Sequence, residues 1–232
     1  MKKYELTTET LQFAGRTLHR IKAVKDFGSI KAGEFGGYIE NEKNLSQDDN
    51  AWIYGEAMAI GNARVFGNAK ILGNAHIFGN AKVFDSARVY DDARVYDDAI
   101  VHNNARIYDN AIVYDNAIVS DYAEVCENAK VCDDADVYGL TRIFGNAKIF
   151  GNAIIKGDAK VHDDADYMVV KNFWSSGRHF TWTRSNNKWS VGCFYGTGEE
   201  LIKKAYADSG TSGREYERVV RYVESILADE RK

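Results

Sequence analysis

The chain of 232 residues contains no proline. About one residue in twenty is proline in an average protein. A backbone whose N–H groups are nearly all claimed by neighbouring strands has this composition, because proline has no N–H to give. Cysteine is scarce: three residues, an odd number, which argues against a disulfide framework. No apolar run reaches the roughly 18 residues of a membrane-spanning helix. The start, Met1-Lys2-Lys3-Tyr4-Glu5, is basic but has no apolar segment behind it, so it does not read as a secretory signal; a cytoplasmic protein with no membrane association is expected. Charge of one sign is also lacking. Thirty basic and 34 acidic residues leave a formal net charge of -4, which gives no general affinity for nucleic acid or membrane.

What is there is a six-residue beat. From Ala51 to Asp164 it runs without an insertion, and 114 residues divided by six give nineteen copies. The unit reads small, variable, branched aliphatic, aromatic, Gly or Asp, Asn or Asp, as in Ala63-Arg64-Val65-Phe66-Gly67-Asn68 and Ala105-Arg106-Ile107-Tyr108-Asp109-Asn110. Ala and Val/Ile lie two apart, so both face one side of a short strand while the residue between them faces out. The Gly-Asn or Asp-Asp pair that follows tolerates left-handed backbone and makes a corner. Strand and corner then alternate with no room for a helix, and the chain must coil into a solenoid.

The flanks differ. Residues 1–38 read as an N-terminal cap with short strands at Lys3 to Leu6 and Thr17 to Val24, covering the open end of the first coil. Ile39 and Leu45 are in phase with Ala51, so the repeat is extended back to Ile39 as two degenerate hexads; 126 residues up to Asp164 then make twenty-one hexads. The repeat domain is placed at 39–165. Beyond it the composition changes and holds three of the four tryptophans. His179–Arg184 and Lys188–Cys193 flank Ser185-Asn186-Asn187 as a β-hairpin. Thr197 with Glu200 and Ser212 with Glu215 have capping-box spacing, ahead of helices over 198–208 and 213–228. In the second helix Tyr216, Val219, Val220, Val223, Ile226 and Leu227 form one apolar stripe. A C-terminal α+β domain, a hairpin plus two helices, is placed at 166–232.

An aliphatic residue followed four positions later by a small one resembles the hexapeptide repeat of left-handed parallel β-helices. The resemblance implies three hexads per triangular coil, hence about seven coils; periodicity alone gives neither the hand nor the threefold section. The approach Gly33-Glu34-Phe35-Gly36-Gly37-Tyr38-Ile39-Glu40, the segment Asn44 to Ala51 and the tail from Gly192 to Leu201 are similar to phage- and prophage-encoded hexapeptide-repeat proteins, a largely uncharacterised group. That likeness implies a bacterial host cell and brings no known reaction. The fold class is therefore mainly β: a left-handed, triangular parallel β-helix with an N-terminal cap and a small C-terminal α+β domain.

With a triangular section, outward residues sort onto three faces. The first carries Trp52, Lys70, Arg88, Arg106, Glu124, Arg142 and Lys160. The second carries Met58, His76, Arg94, Ile112, Lys130 and Lys148. The third carries Arg64, Lys82, Ile100, Ile118, Asp136 and Ile154. Ile100, Ile118 and Ile154 are either tolerated surface aliphatics or a covered face, meeting a second copy in a dimer or trimer or the C-terminal domain. Residues before the corners stack in columns, among them Phe66 over Phe84 and Phe78, Tyr96 and Tyr114, which reads as structural.

The corners carry the charge. Between Asp85 and Asp134 twelve acidic residues face four basic ones, a net of -8. Asp91, Asp92, Asp97, Asp98, Asp109, Asp115, Asp133 and Asp134 are the candidate partner-binding residues. The plainer reading is that Asp and Asn suit tight corners; the functional one is an acidic rod that occupies the basic channel of a nucleic-acid-binding host complex, as an inhibitor of a host defence enzyme of the anti-CRISPR kind. A third reading is a hard cation such as calcium along the Asp columns, although no recognised calcium loop is present; no metal ligand is assigned, and no direct nucleic-acid binding or cofactor is expected. Hexapeptide-repeat enzymes are commonly acyltransferases with a histidine base and an extruded loop, and this ladder has no such loop. His102 and Ser120, eighteen residues apart with Asp121 adjacent, are the weak catalytic candidates. Cys126 and Cys132 belong to different edges and lack disulfide or zinc spacing. The reading is a non-enzymatic binding protein, with an acyltransferase or a structural assembly element as alternatives.

Overall fold

The computed structural model describes residues 2–173 and 176–230. Trp174, one of the three C-terminal tryptophans, lies outside them. Between Trp52 and Val161 every hexad forms one two-residue strand, nineteen in succession. Within the stack each pairs in parallel with the strands eighteen residues before and after it, the strands at either end having one such neighbour: Arg88 lies opposite Lys70 and Arg106, and Ile100 opposite Lys82 and Ile118. Three sheets result, so the coil has three sides. The outward residues fall onto those sides as the repeat predicts, and the stack is seven coils tall, about 30 Å at about 4.8 Å per layer.

The hexad explains this shape locally. Ala and Val/Ile turn inward and are completely buried from Ala69 to Val137, and two such residues per side fill a narrow prism. The first corner residue takes φ near +57° in Asp91, Asp115 and Asp121 and +73° in Gly67. Backbone N–H groups then climb the stack. Arg88 N donates to Ala105 O at 2.9 Å, Tyr90 N to Ile107 O at 3.0 Å and Asp92 N to Asp109 O at 3.0 Å. Rings stack in register, Phe66 on Phe84 at 4.8 Å and Tyr90 on Tyr108 at 5.0 Å.

The N-terminal end differs in two respects from the sequence reading. The hairpin Tyr4–Phe13 and Arg16–Ala23 is longer than expected, and it joins Phe35–Ile39, which itself pairs in parallel with Met58–Ala59. The cap is thus continuous with the second face. The phase of Ile39 and Leu45 with Ala51 is also corrected. Ile39 lies opposite Ala59 and Leu45 opposite Val65, twenty residues on and not eighteen. Two extra residues fit because side chains replace the ladder. Asn44 Nδ2 donates to Gly61 O and Ala63 O at 3.0 and 2.9 Å, and Gly67 N donates to Asp49 Oδ2 at 2.6 Å. Lys3 is buried over this end and donates to Ala51 O at 2.8 Å and Asp49 O at 3.0 Å. Burial pushes its ammonium pKa down, against the pull of Asp49.

At the other end Asp163 caps a short turn, Asp164–Asp166, and an antiparallel sheet follows: Tyr167–Lys171, His179–Thr183, Lys188–Val191 and Phe194–Gly196. Helices α1 (Gly198–Asp208) and α2 (Gly210–Asp229) pack on it around Phe180, Trp189, Leu201 and Val220. The Thr197–Glu200 capping box forms. The second helix starts earlier than its spacing suggested: Ser209, not Ser212, is the cap and accepts from Ser212 N at 3.0 Å. One residue separates the helices, so the cap must follow Asp208 at once. The hairpin docks on the last coils by satisfying their free amides. Ile154 N donates to Thr181 Oγ1 at 2.9 Å and Lys160 N to Ser185 Oγ at 2.7 Å.

Candidate functional site

The corner carboxylates have a structural duty. The amide of a first corner residue is outside the backbone ladder, and the acid one coil earlier accepts from it. Asp85 serves Asn103 N at 3.2 Å, Asp91 serves Asp109 N at 3.4 Å, Asp109 serves Glu127 N at 3.1 Å and Asp115 serves Asp133 N at 3.3 Å. Asp133 serves Gly151 N at 2.8 Å. The second corner residues form a ladder of their own: Asn74 donates to Asp92, Asn80 to Asp98 and Asn116 to Asp134, at 3.0–3.1 Å. Seven of the eight candidate partner-binding acids thus accept a hydrogen bond along an ordered column, and all eight are exposed or half-exposed. Asp97 keeps the left-handed corner, with φ at +55°.

His102, Ser120 and Asp121 do share an edge, and among the described residues no hydrogen bond joins the first two. His102 lies flat against Phe84 at 5.0 Å, with Nδ1 3.8 Å from Asp85. Ser120 is buried. Asp121 accepts from Asn103 Nδ2 at 2.9 Å and from Gly139 N at 3.2 Å, so its carboxylate holds the corner and does not orient the imidazole. On the third face Ile100, Ile118 and Ile154 are half-buried. Ile154 lies under the C-terminal sheet, and Asp136 interrupts the column, its carboxyl pushed up by burial. Cys126 and Cys132 are buried free thiols within the columns before the corners. Ligand atoms of Asp115, Cys132 and Asp133 lie within 4.8 Å of one another, and burial pushes the Cys132 thiol pKa up.

Two features escaped the sequence reading. Tyr122 and Leu140 occupy consecutive levels of one corner column where Asn or Asp is the rule, and both are exposed. With Arg88, Arg106 and Arg142 they line a shallow groove of about 560 Å³ on the first face. A cleft of about 450 Å³ lies between the hairpin end and the second face, walled by Phe13, Ile60 and Phe78 and reaching His76 and Arg94. The break in the Asn/Asp column was visible in the sequence as a departure from the repeat. The cleft was not, because it depends on how far the hairpin overhangs.

Among the described residues no helix is long and apolar enough to cross a membrane. Residues 87–103 and 105–121 match the YdcK beta solenoid repeat family. Over 64 residues the chain is 36% identical to the uncharacterized acetyltransferase YdcK of Escherichia coli (strain K12), an alignment that takes in 24% of this chain and 20% of that protein. The chain thus spans about a fifth of the length of the curated relative it matches. The fold and both comparisons agree on a hexapeptide-like β-solenoid repeat.

Proposed function

We propose that the protein is a non-enzymatic scaffold that binds a basic macromolecular partner along its acidic mid-rod corners. The observation that carries this reading is the pinned carboxylate lattice. Side chains already held by a neighbouring coil lose little freedom on binding, so their charge is presented with a small entropic cost. A net of -8 between Asp85 and Asp134 attracts a basic surface and speeds encounter at low salt. The nucleic-acid channel of a host enzyme has the complementary charge, and a rod lying in it inhibits that enzyme.

The test is the fourfold variant Asp91→Asn, Asp92→Asn, Asp97→Asn and Asp98→Asn. Asparagine keeps the corner backbone and the second-position ladder, as Asn50 donating to Asn68 at 3.1 Å already does. Partners recovered from a bacterial lysate at low salt should bind the variant about tenfold more weakly, a loss of about 1.4 kcal/mol. Unchanged affinity removes the acidic corners from the mechanism. A second reading, acetyl transfer, is favoured by the similarity to the uncharacterized acetyltransferase of Escherichia coli. Calorimetry with acetyl-CoA decides between them: the scaffold gives no saturable heat, and a clear isotherm replaces the first reading with the second.

A further inference from the structure

The end of the N-terminal hairpin has no counterpart in the repeat. His19 is the last hairpin residue opposite the inner strand, where it meets Ile39; Leu11 to Leu18 run past that strand. The overhang ends at Phe13, whose ring meets His76 edge-on at 5.2 Å. Beneath it lies the cleft of about 450 Å³, within the size range of small-molecule sites. Its walls are Phe13, Ile60 and Phe78, with Ala14 and Gly61 at the margin.

The polar groups are few and unequal. Arg16 is already engaged: Nη1 donates to both oxygens of Glu40 at 2.8 Å, and Glu40 accepts from Gly61 N at 2.7 Å. Arg94 stands opposite His76 one coil away, and no acid lies within ion-pair distance of it among the described residues. Burial, then Arg94, pushes the His76 imidazole down, with Asp92 pulling the other way, so the ring is neutral at pH 7. Apolar walls with one uncompensated guanidinium at the mouth select an apolar body that carries one negative charge.

We propose that this cleft binds a small aromatic carboxylate, its carboxylate on Arg94 beside His76 and its ring against Phe13 and Phe78. The inference is independent of the acidic corners and of acetyl transfer. 2-Naphthoate is the probe, and the neutral 2-naphthamide is its control. Calorimetry should give one saturable site for 2-naphthoate, weakened about tenfold in Arg94→Gln and in 2-naphthamide. The bound anion favours the imidazolium, so the His76 resonances should titrate at higher pH when 2-naphthoate is present, and binding should tighten as pH falls from 8 to 6. Arg16 is ion-paired with Glu40, and His76 is the one imidazole lining the cleft. Phe13→Ser, at a partly exposed ring, should weaken 2-naphthoate without unfolding the rod. Equal binding of acid and amide, an unchanged Arg94→Gln, or no saturable heat overturns the proposal.

Discussion

At the residue scale the repeat is strict enough that single departures have readable costs. Thr141 stands where the hexad calls for alanine, is buried, and its Oγ1 has no hydrogen-bond partner among the described residues. An unsatisfied buried hydroxyl costs about 1–3 kcal/mol. Thr141→Val keeps the methyl packing and removes the orphan oxygen, so it should stabilise the protein by about 1 kcal/mol, seen as a higher urea midpoint with an unchanged slope. A lower midpoint would mean that the hydroxyl is satisfied in solution. The corners show the opposite case. Asp and Asn at left-handed positions were legible from composition, because few other residues tolerate that backbone. Their second duty, accepting the next coil's corner amide, was not, since it appears only once the eighteen-residue stacking is known.

At the element scale the strands were legible and their ends were not. Nineteen two-residue strands followed from a period of six, whereas Ile39 and Leu45 shifted by two residues because Asn44 and Asp49 replace backbone partners. Apolar spacing fixes which side a residue faces, and a two-residue slip leaves that side unchanged. Helix α2 likewise began at Gly210 because Ser209 was free to cap it, a choice between two serines that spacing cannot make. The docking of the C-terminal hairpin belongs to this scale. Tyr195 packs against Gly157, where an added Cβ would fall 1.9 Å from its hydroxyl oxygen, and φ there is +75°. Gly157→Ala should therefore lift the hairpin from the last coil. Hydrogen exchange at the Ile154 and Lys160 amides, which donate to Thr181 and Ser185, should accelerate, while α1 and α2 keep their protection. Unchanged exchange at both amides would show that Tyr195 is not needed for docking.

At the scale of the whole molecule, each coil contacts only its neighbours, so stability is a sum along the axis and the ends are where it fails first. The carboxylates held below their ordinary pKa cluster at those ends. The Gly61 amide lowers Glu40; burial pushes Asp49 up, but hydrogen bonds from Ser46, Gly67 and Ala51 outweigh it. At the C-terminal end Asn186 lowers Asp158, the Ala165 amide lowers Asp163 and Arg184 lowers Glu230. A carboxyl lowered by folding contributes stability above its ordinary pKa, and that contribution is lost as the pH falls through the ordinary range to the folded value. Asp136, raised by burial in the middle of the rod, has the opposite sign and favours folding as it takes up a proton. Acid should then loosen the caps before the centre. Hydrogen exchange between pH 7 and pH 3 should show residues 35–65 and 148–170 losing protection ahead of residues 85–134. Loss at the same pH along the whole stack would mean that the coils melt as one cooperative unit and that the caps do not set its acid limit.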